Sequence, residues 1–181
     1  ILNAQGQQVA PLQDGDAVLF TNYRPDRIRQ LATRVLLTPK TFTVITMTDY
    51  FLGELPSTGD VAVKVLNAYP LPKPSGTLTA TLADYRKSQL HIAESEKYAH
   101  VTYFFDGHQE VKQALEQWLL IPSVKVDSFD RAPEMSAASI TASYLSAKQA
   151  YAYDFTVINY ANADMVGHTG NFAVAMQAIT F

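Results

Sequence analysis

The sequence predicts an α/β protein with a mostly parallel sheet and helices on the faces of that sheet. Short apolar segments rich in strand-forming residues alternate along the chain with segments of helical periodicity, which is typical of parallel sheets. The chain has 181 residues and is 48% hydrophobic, so it is long enough to bury a sizeable core. Prolines and a glycine crowd residues 70–76, a density that excludes regular structure and predicts a hinge between two domains.

The first domain, residues 1–69, is predicted to be mixed α/β. Residues 16–22, DAVLFTN, form a short apolar run that favours a strand. In residues 24–36 a proline near the start precedes apolar residues at helical spacing, which predicts a helix. Residues 42–48, FTVITMT, and 61–66, VAVKVL, have the composition of two further strands.

The second domain, residues 77–181, continues the alternation. Its predicted elements are a helix at 77–88, a strand at 89–94, a helix or turn at 96–107, a helix at 135–150 and a strand at 153–160. In parallel sheets ligands bind at the carboxyl ends of the strands, where the loops converge. The segment NYANADMVGHTGN, residues 159–171, follows the last predicted strand and is therefore expected at such an end.

Composition argues against several classes of partner. The net charge of −3 shows no basic excess, so nucleic acid is not an expected partner. The absence of cysteine excludes a disulfide scaffold and is compatible with the cytoplasm, where we expect the protein. No apolar run approaches the roughly 20 residues of a membrane-spanning helix, so no membrane partner is expected. The chain starts without methionine and ends in an apolar run, which suggests a piece of a longer chain.

Asp164 and His168 are the candidate metal ligands. A carboxylate and an imidazole four residues apart can point to one side of a helical turn and share a metal ion. The neighbouring glycines and asparagines favour a loop that approaches a ligand closely. The alternative is an aspartate at a helix start and a histidine with an ordinary structural partner.

Arg24 and Arg27 are the candidate anion-binding residues. They lie three residues apart in the first turn of a predicted helix, where two guanidinium groups and the helix amides favour phosphate or carboxylate. The alternative is a solvated arginine face with Asp26 as partner.

A third candidate lies in the segment AESEKYAHVT. Lys97 and His100, three residues apart, are suited to present a cation and a proton-transfer group to a phosphoryl centre. A surface helix that pairs Glu96 with His100 explains the same residues. The other histidines, His91 and His108, have no convergent neighbours in sequence and are assigned no role.

Four segments occur in the order found in one known family: LFTNYRPDRIRQL, IAESEKYAHVTYFFDG, PEMSA and NYANADMVGHTGN. Together they resemble the cofactor-independent (2,3-bisphosphoglycerate-independent) phosphoglycerate mutases over nearly the whole chain. The resemblance implies a metal-binding domain of the alkaline phosphatase superfamily that is interrupted by an inserted phosphotransferase domain. Residues 1–69 would be the tail of the insert, residues 70–76 the hinge, and residues 77–181 part of the metal-binding domain.

The resemblance also implies an activity and a set of site residues. The family interconverts 3-phosphoglycerate and 2-phosphoglycerate through a phosphoserine, with two manganese ions and without 2,3-bisphosphoglycerate. Asp164 and His168 would bind one manganese ion, Arg24 and Arg27 would hold the small-molecule substrate, and Lys97 would contact the phosphoryl group. The serine and the remaining metal ligands belong to parts of the family outside this chain, so the isolated chain is expected to be an inactive monomer.

Two other classes remain open. Another metal-dependent phosphatase or phosphomutase of the superfamily would share Asp164 and His168, but it has no reason to keep both the arginine and the lysine motifs. A non-catalytic truncated homologue or fragment would fold and bind phosphoglycerate weakly through its arginines. The sequence also departs from the family at residues 123–125, where Ser-Val-Lys replaces the usual Ser-Pro-Lys, so the conformation of that loop is an open point.

Overall fold

The computed structural model describes residues 2–50, 52, 64–72, 74–109 and 111–181. It divides into two compact units, Ile1–Pro72 and Lys73–Phe181. The division falls inside the segment predicted as a hinge, residues 70–76. The first three residues of the predicted strand 61–66 lie outside the described residues. In the part of the chain that is described, no helix is both long and apolar enough to cross a membrane.

The first unit is a three-stranded parallel sheet with one helix. Its elements are β1 (Ala17–Phe20), α1 (Pro25–Leu36), β2 (Thr43–Thr46) and β3 (Lys64–Asn67). The strand order is β1-β2-β3, and both pairs are parallel. Connections between parallel neighbours must cross over, and α1 serves as the crossover from β1 to β2.

Alternating side chains build the core of the first unit. Every second residue from Phe42 to Tyr50 is buried, because successive side chains of an extended chain point to opposite sides. Phe42, Val44 and Tyr50 form one cluster with buried residues of β1 and α1, namely Phe20, Ala32 and Leu36. Pro25 starts α1, at a position where the missing N–H is not needed.

The second unit is also a three-stranded parallel sheet, with strand order β5-β4-β6. Its elements are α2 (Leu78–Asp84), β4 (Gln89–Glu94), α3 (Tyr98–Val101), β5 (Glu116–Ile121), a 3-10 turn (Phe129–Arg131), α4 (Ala137–Ala150), β6 (Phe155–Asn159), α5 (Asn162–Gly167) and α6 (Phe172–Thr180). β4 is central, and all six of its residues are buried. The predicted α/β class with parallel sheets is confirmed.

Two local points differ from or refine the expectations. Residues 116–121 form an edge strand that no predicted element covers, because the strand begins with a charged residue, Glu116, and only that residue is fully buried. The segment 96–107, predicted as a helix or turn, contains both, since the four-residue helix α3 continues as turns to Gly107, and the alternative of a surface helix that spans Glu96 and His100 is not formed. Glu96 and His100 are half-buried there.

Candidate functional site

The second unit brings together three of the residues that the sequence singles out. Lys97 follows the carboxyl end of β4, and Asp164 lies in α5, which follows the carboxyl end of the neighbouring parallel strand β6. The Nζ atom of Lys97 donates a hydrogen bond to Oδ2 of Asp164, although the two residues are 67 positions apart. Nε2 of His168 lies 3.5 Å from the other carboxylate oxygen, Oδ1 of Asp164.

Backbone hydrogen bonds fix the turn that carries Lys97. The Lys97 amide donates to the carbonyl of Glu94 at 2.9 Å, which closes a turn at the end of β4. The Ser95 amide donates to the carbonyl of Ile121 at 2.9 Å. The Glu96 amide donates to Oγ of Ser123 at 3.1 Å, so the loop after β5 also holds this turn. The serine of the Ser-Val-Lys step thus helps to position Lys97.

Buried contacts on the opposite side orient α5. The side chain of Asn162 donates from Nδ2 to the carbonyl of Ala178 in α6 at 2.6 Å, and Val166 is fully buried. Residues four apart share a helix face, so Asp164 and His168 point together away from these contacts. Their side chains are 50% and 74% exposed. Asp164 and His168 therefore present ligand atoms outward while the rest of the helix anchors them.

Electrostatics keep the carboxylate ionised. The hydrogen bond from Lys97 lowers the pKa of Asp164 below its ordinary value. Desolvation opposes this effect, and the charges of Lys97, His168 and His100 add to the lowering. His100 is thus an electrostatic neighbour of the site. An ionised carboxylate beside an imidazole is the protonation state that metal binding requires.

The donor set fits part of a divalent metal site. Ligand atoms about 2.1 Å from a tetrahedral ion lie about 3.4 Å apart, which matches the 3.5 Å between Nε2 of His168 and Oδ1 of Asp164. Among the described residues, however, no group of three or more His, Asp or Glu side chains is placed to hold a metal ion. A metal centre usually takes at least three protein ligands, so this pair supplies only part of one.

Arg24 and Arg27 lie in the first unit, at the start of α1. Arg24 is the N-cap residue and makes no side-chain capping bond, while Arg27 is exposed in the first turn. Nε of Arg24 donates to Oδ1 of Asp26 at 2.9 Å, and the arginine side chain is 58% exposed. The pair with Asp26 that the sequence analysis gives as the alternative is therefore present.

Sequence reasoning missed a buried polar cluster behind the site. It finds nothing convergent around His91, which is wrong, because Nε2 of His91 lies 3.2 Å from Oε1 of Glu116 and both side chains are fully buried. Nδ1 of His91 lies 2.5 Å from the carbonyl of Val101, so Nδ1 carries a proton. Burial raises the pKa of the nearby Asp106 carboxyl. The hydrogen bond from Thr79 opposes this rise in pKa, and the negative charge of Glu116 adds to it. The sequence carries one signal of this buried cluster. Three polar residues, Gln89, His91 and Glu94, lie in a predicted strand whose other residues are apolar.

Two family models match this chain. A family model described as the metalloenzyme superfamily matches residues 57–180. A second model, described as the BPG-independent PGAM N-terminus, matches residues 1–52.

Individual relatives extend this result. The 2,3-bisphosphoglycerate-independent phosphoglycerate mutase of Shewanella baltica strain OS185 is 42% identical over 188 residues, with 98% of this chain and 34% of the relative covered. The enzyme of the same name from Thermomicrobium roseum is 40% identical over 191 residues, with 99% of this chain and 34% of the relative covered. This chain thus spans about one third of the length of these curated relatives.

A solved structure gives the same answer. A phosphoglycerate mutase of Leishmania mexicana, crystallised at low cobalt concentration, matches with a TM-score of 0.82 and 28% identity over 98% of this chain and 33% of that protein. The chain therefore belongs to the metalloenzyme superfamily, and the predicted resemblance to the cofactor-independent phosphoglycerate mutases is confirmed.

Proposed function

We propose that this chain is a segment of a 2,3-bisphosphoglycerate-independent phosphoglycerate mutase. The enzyme interconverts 3-phosphoglycerate and 2-phosphoglycerate through a phosphoserine intermediate. The observation that carries the proposal is the meeting of Lys97, Asp164 and His168 at the carboxyl ends of two neighbouring parallel strands. Residues 1–69 are proposed as the tail of the inserted phosphotransferase domain and residues 77–181 as part of the metal-binding domain.

Asp164 and His168 are the proposed ligands of one of two divalent metal ions, with manganese as the proposed metal. The metal ions would activate the attacking serine and offset negative charge on the transferring phosphoryl group. The serine and the remaining ligands would come from segments beyond this chain, as the coverage of about one third of each relative allows. The 181 residues alone are therefore expected not to catalyse the reaction.

Lys97 is the proposed contact to the phosphoryl group. Its side chain is only 13% exposed, so its ammonium group is held in a defined position. An ammonium group has three N–H donors, and the bond to Asp164 needs one of them. A fixed cation of this kind stabilises the charge that spreads over the phosphoryl oxygens in the transition state.

Arg24 and Arg27 are the proposed contacts to the phosphoglycerate. Two guanidinium groups at the N-terminus of a 12-residue helix provide charge-assisted donors for a carboxylate or a phosphate. The Arg24 side chain is 58% exposed, so an anionic ligand from solvent is able to reach its guanidinium group beside Asp26.

A chimera tests the proposed function. The matching segment of the Shewanella baltica mutase is replaced by this chain, and conversion of 3-phosphoglycerate is followed through enolase with manganese and without 2,3-bisphosphoglycerate. We expect activity, and Asp164→Asn should reduce kcat/KM by about 100-fold or more, because a metal ligand loses its charge. Manganese binding by the chimera, measured by electron paramagnetic resonance, should weaken in the same variant.

The matched control is Asp127→Asn. Asp127 is an aspartate of the same unit whose side chain is 89% exposed and pairs with Arg131 on the surface. This control should keep activity and manganese affinity. A folded chimera without mutase activity would count against the proposed function, and an active chimera indifferent to Asp164→Asn would count against the metal assignment alone.

A further inference from the structure

Two buried hydroxyl groups hold the backbone immediately before Arg24. Oγ1 of Thr48 donates to the carbonyl of Tyr23 at 3.1 Å. The hydroxyl of Tyr50 donates to the carbonyl of Asn22 at 2.5 Å, and it lies 3.5 Å from the carbonyl oxygen of Phe20. Thr48 and Tyr50 are each 1% exposed. Two side chains from beyond the end of β2 thus bind the segment that links β1 to α1.

Apolar packing alone does not explain the choice of residue types at these positions. Thr48 and Tyr50 continue the buried face of Phe42 and Val44, and the Tyr50 ring packs edge-on against Phe20. Valine and phenylalanine would fill the same space, but they would leave the carbonyls of residues 22 and 23 without these donors. The hydroxyls instead specify where the carbonyls of residues 22 and 23 lie.

The segment they hold lies outside the regular hydrogen bonding of β1 and α1. Asn22 and Tyr23 are exposed and belong to neither β1 nor α1. The N-cap residue of α1, Arg24, makes no side-chain capping bond that would fix the helix start from within. Pro25 restricts the backbone of Arg24 but does not fix where the segment lies. The direction of the first turn of α1, which carries Arg24 and Arg27, is therefore set jointly by the packing of α1 and by the bonds from Thr48 and Tyr50 to the segment before it.

We infer that Thr48 and Tyr50 are positioning residues for the anion site at the start of α1. They act through the backbone of Asn22 and Tyr23, and they set the direction in which Arg24 and Arg27 meet a small phosphorylated carboxylic acid. The identity of that ligand as phosphoglycerate rests on the proposed function; the anchoring of the segment does not.

The test uses the 181-residue chain and five substitutions, of which three concern Thr48 and its control. Thr48→Val removes the hydroxyl at nearly constant volume, and Thr48→Ser restores it. Thr46→Val is the matched control, because Thr46 is fully buried on the same face. Its hydroxyl donates to the Asn67 side chain at 2.7 Å and not to the segment of residues 22–27. Titration with 3-phosphoglycerate is followed by nuclear magnetic resonance of the Nε–H groups of Arg24 and Arg27.

We expect Thr48→Val to raise the Kd for 3-phosphoglycerate by about 5- to 10-fold, since one anchoring hydrogen bond is lost. Thr48→Ser should return the Kd to within about twofold of the wild-type value, and Thr46→Val should leave it there. Tyr50→Phe should weaken binding as Thr48→Val does. Thermal unfolding of each variant separates loss of positioning from loss of fold.

The outcomes separate this inference from the proposed function. Equal Kd values for Thr48→Val and Thr46→Val would overturn the inference. If the wild-type chain and Arg27→Ala respond alike to 3-phosphoglycerate, the substrate role of the arginines fails instead. In that case ¹⁵N relaxation of residues 22–27 without ligand decides: greater motion in Thr48→Val than in Thr46→Val supports the inference, and equal motion overturns it.

Discussion

At the scale of single residues, burial distinguishes two ion pairs of similar chemistry. Lys97 with Asp164 and Arg24 with Asp26 each join a cation to an aspartate, but the Lys97 side chain is 13% exposed and that of Arg24 is 58% exposed. The aspartates show the reverse order, since Asp164 is 50% exposed and Asp26 is 15% exposed. In the first pair the protein therefore surrounds the ammonium group, and in the second the arginine side chain faces solvent. Under the proposed function, Lys97 would make a fixed electrostatic contact and Arg24 would capture the ligand.

A third aspartate governs acid stability rather than binding. The carboxylate of Asp154, just before β6, accepts hydrogen bonds from the amide and hydroxyl of Ser88, both at 2.9 Å, and from Nζ of Lys87 at 3.0 Å. The Ser88 amide bond and these side-chain bonds lower the pKa of Asp154 to about 2. They tie the amino ends of β4 and β6 together, at the opposite end of the sheet from the candidate site.

The sign of the pH effect follows from that lowered pKa. The folded-state pKa lies below the unfolded value of 3.8, so Asp154 contributes stability above pH 3.8 and loses that contribution as pH falls through about 2. In Asp154→Asn the contribution is absent at every pH. Urea unfolding between about pH 2 and pH 6 should therefore show a smaller acid-dependent loss of stability in the variant than in the wild type. Parallel curves for the two proteins would show that Asp154 does not supply this pH dependence.

At the scale of elements, periodicity predicts the regular segments well. The helical spacing in residues 24–36 matches α1, Pro25–Leu36, because apolar positions three and four apart mark one buried face. The strand predicted at residues 89–94 is β4 itself. β5 escapes prediction because its buried first residue, Glu116, is charged; the carboxylate accepts from the Trp118 indole and the Gln113 amide. These two partners are local in sequence, but the burial of Glu116 against His91 of β4 comes from tertiary structure, which local pattern does not encode.

The candidate site shows the same limit. The spacing of Asp164 and His168 is visible in the sequence, because four residues make about one helical turn. That Lys97 would reach Asp164 follows only from the pairing of β4 with β6, which brings residues 67 positions apart into contact. The carboxyl-end rule for parallel sheets predicts the neighbourhood of the site, and strand order determines its members.

Gly107, which ends the turns after α3, allows a close approach to the start of α2. Its φ is +66°, and a Cβ there would lie 2.3 Å from Cγ of Pro74. Gly107→Ala should therefore lower the free energy of unfolding by about 2–4 kcal/mol, from the backbone strain and the steric clash together. Gly76→Ala is the control, since its φ is +71° but nothing lies within 4 Å of the added Cβ. It should cost about 1 kcal/mol; equal losses in urea unfolding would exclude the contact with Pro74 as a cause.

At the scale of the whole molecule, each unit has a sheet and buried residues of its own. Val44 is fully buried in the cluster of the first unit, and Val166 is fully buried in the second. Two compact units with separate cores are expected to unfold in separate transitions. The single tryptophan, Trp118, lies in the second unit, so its fluorescence reports on that unit.

A matched pair of substitutions tests this independence. Val44→Ala and Val166→Ala each remove two methyl groups from a fully buried site, at a cost of about 2 kcal/mol. Val166→Ala should shift the urea midpoint of Trp118 fluorescence by about 1 M. Val44→Ala should leave that midpoint unchanged and shift only a transition seen by far-ultraviolet circular dichroism. Equal shifts of the fluorescence midpoint would instead mean that the chain unfolds as one cooperative unit. Residues 22–27 and the pair of Asp164 with His168 would then lose structure together under denaturing conditions.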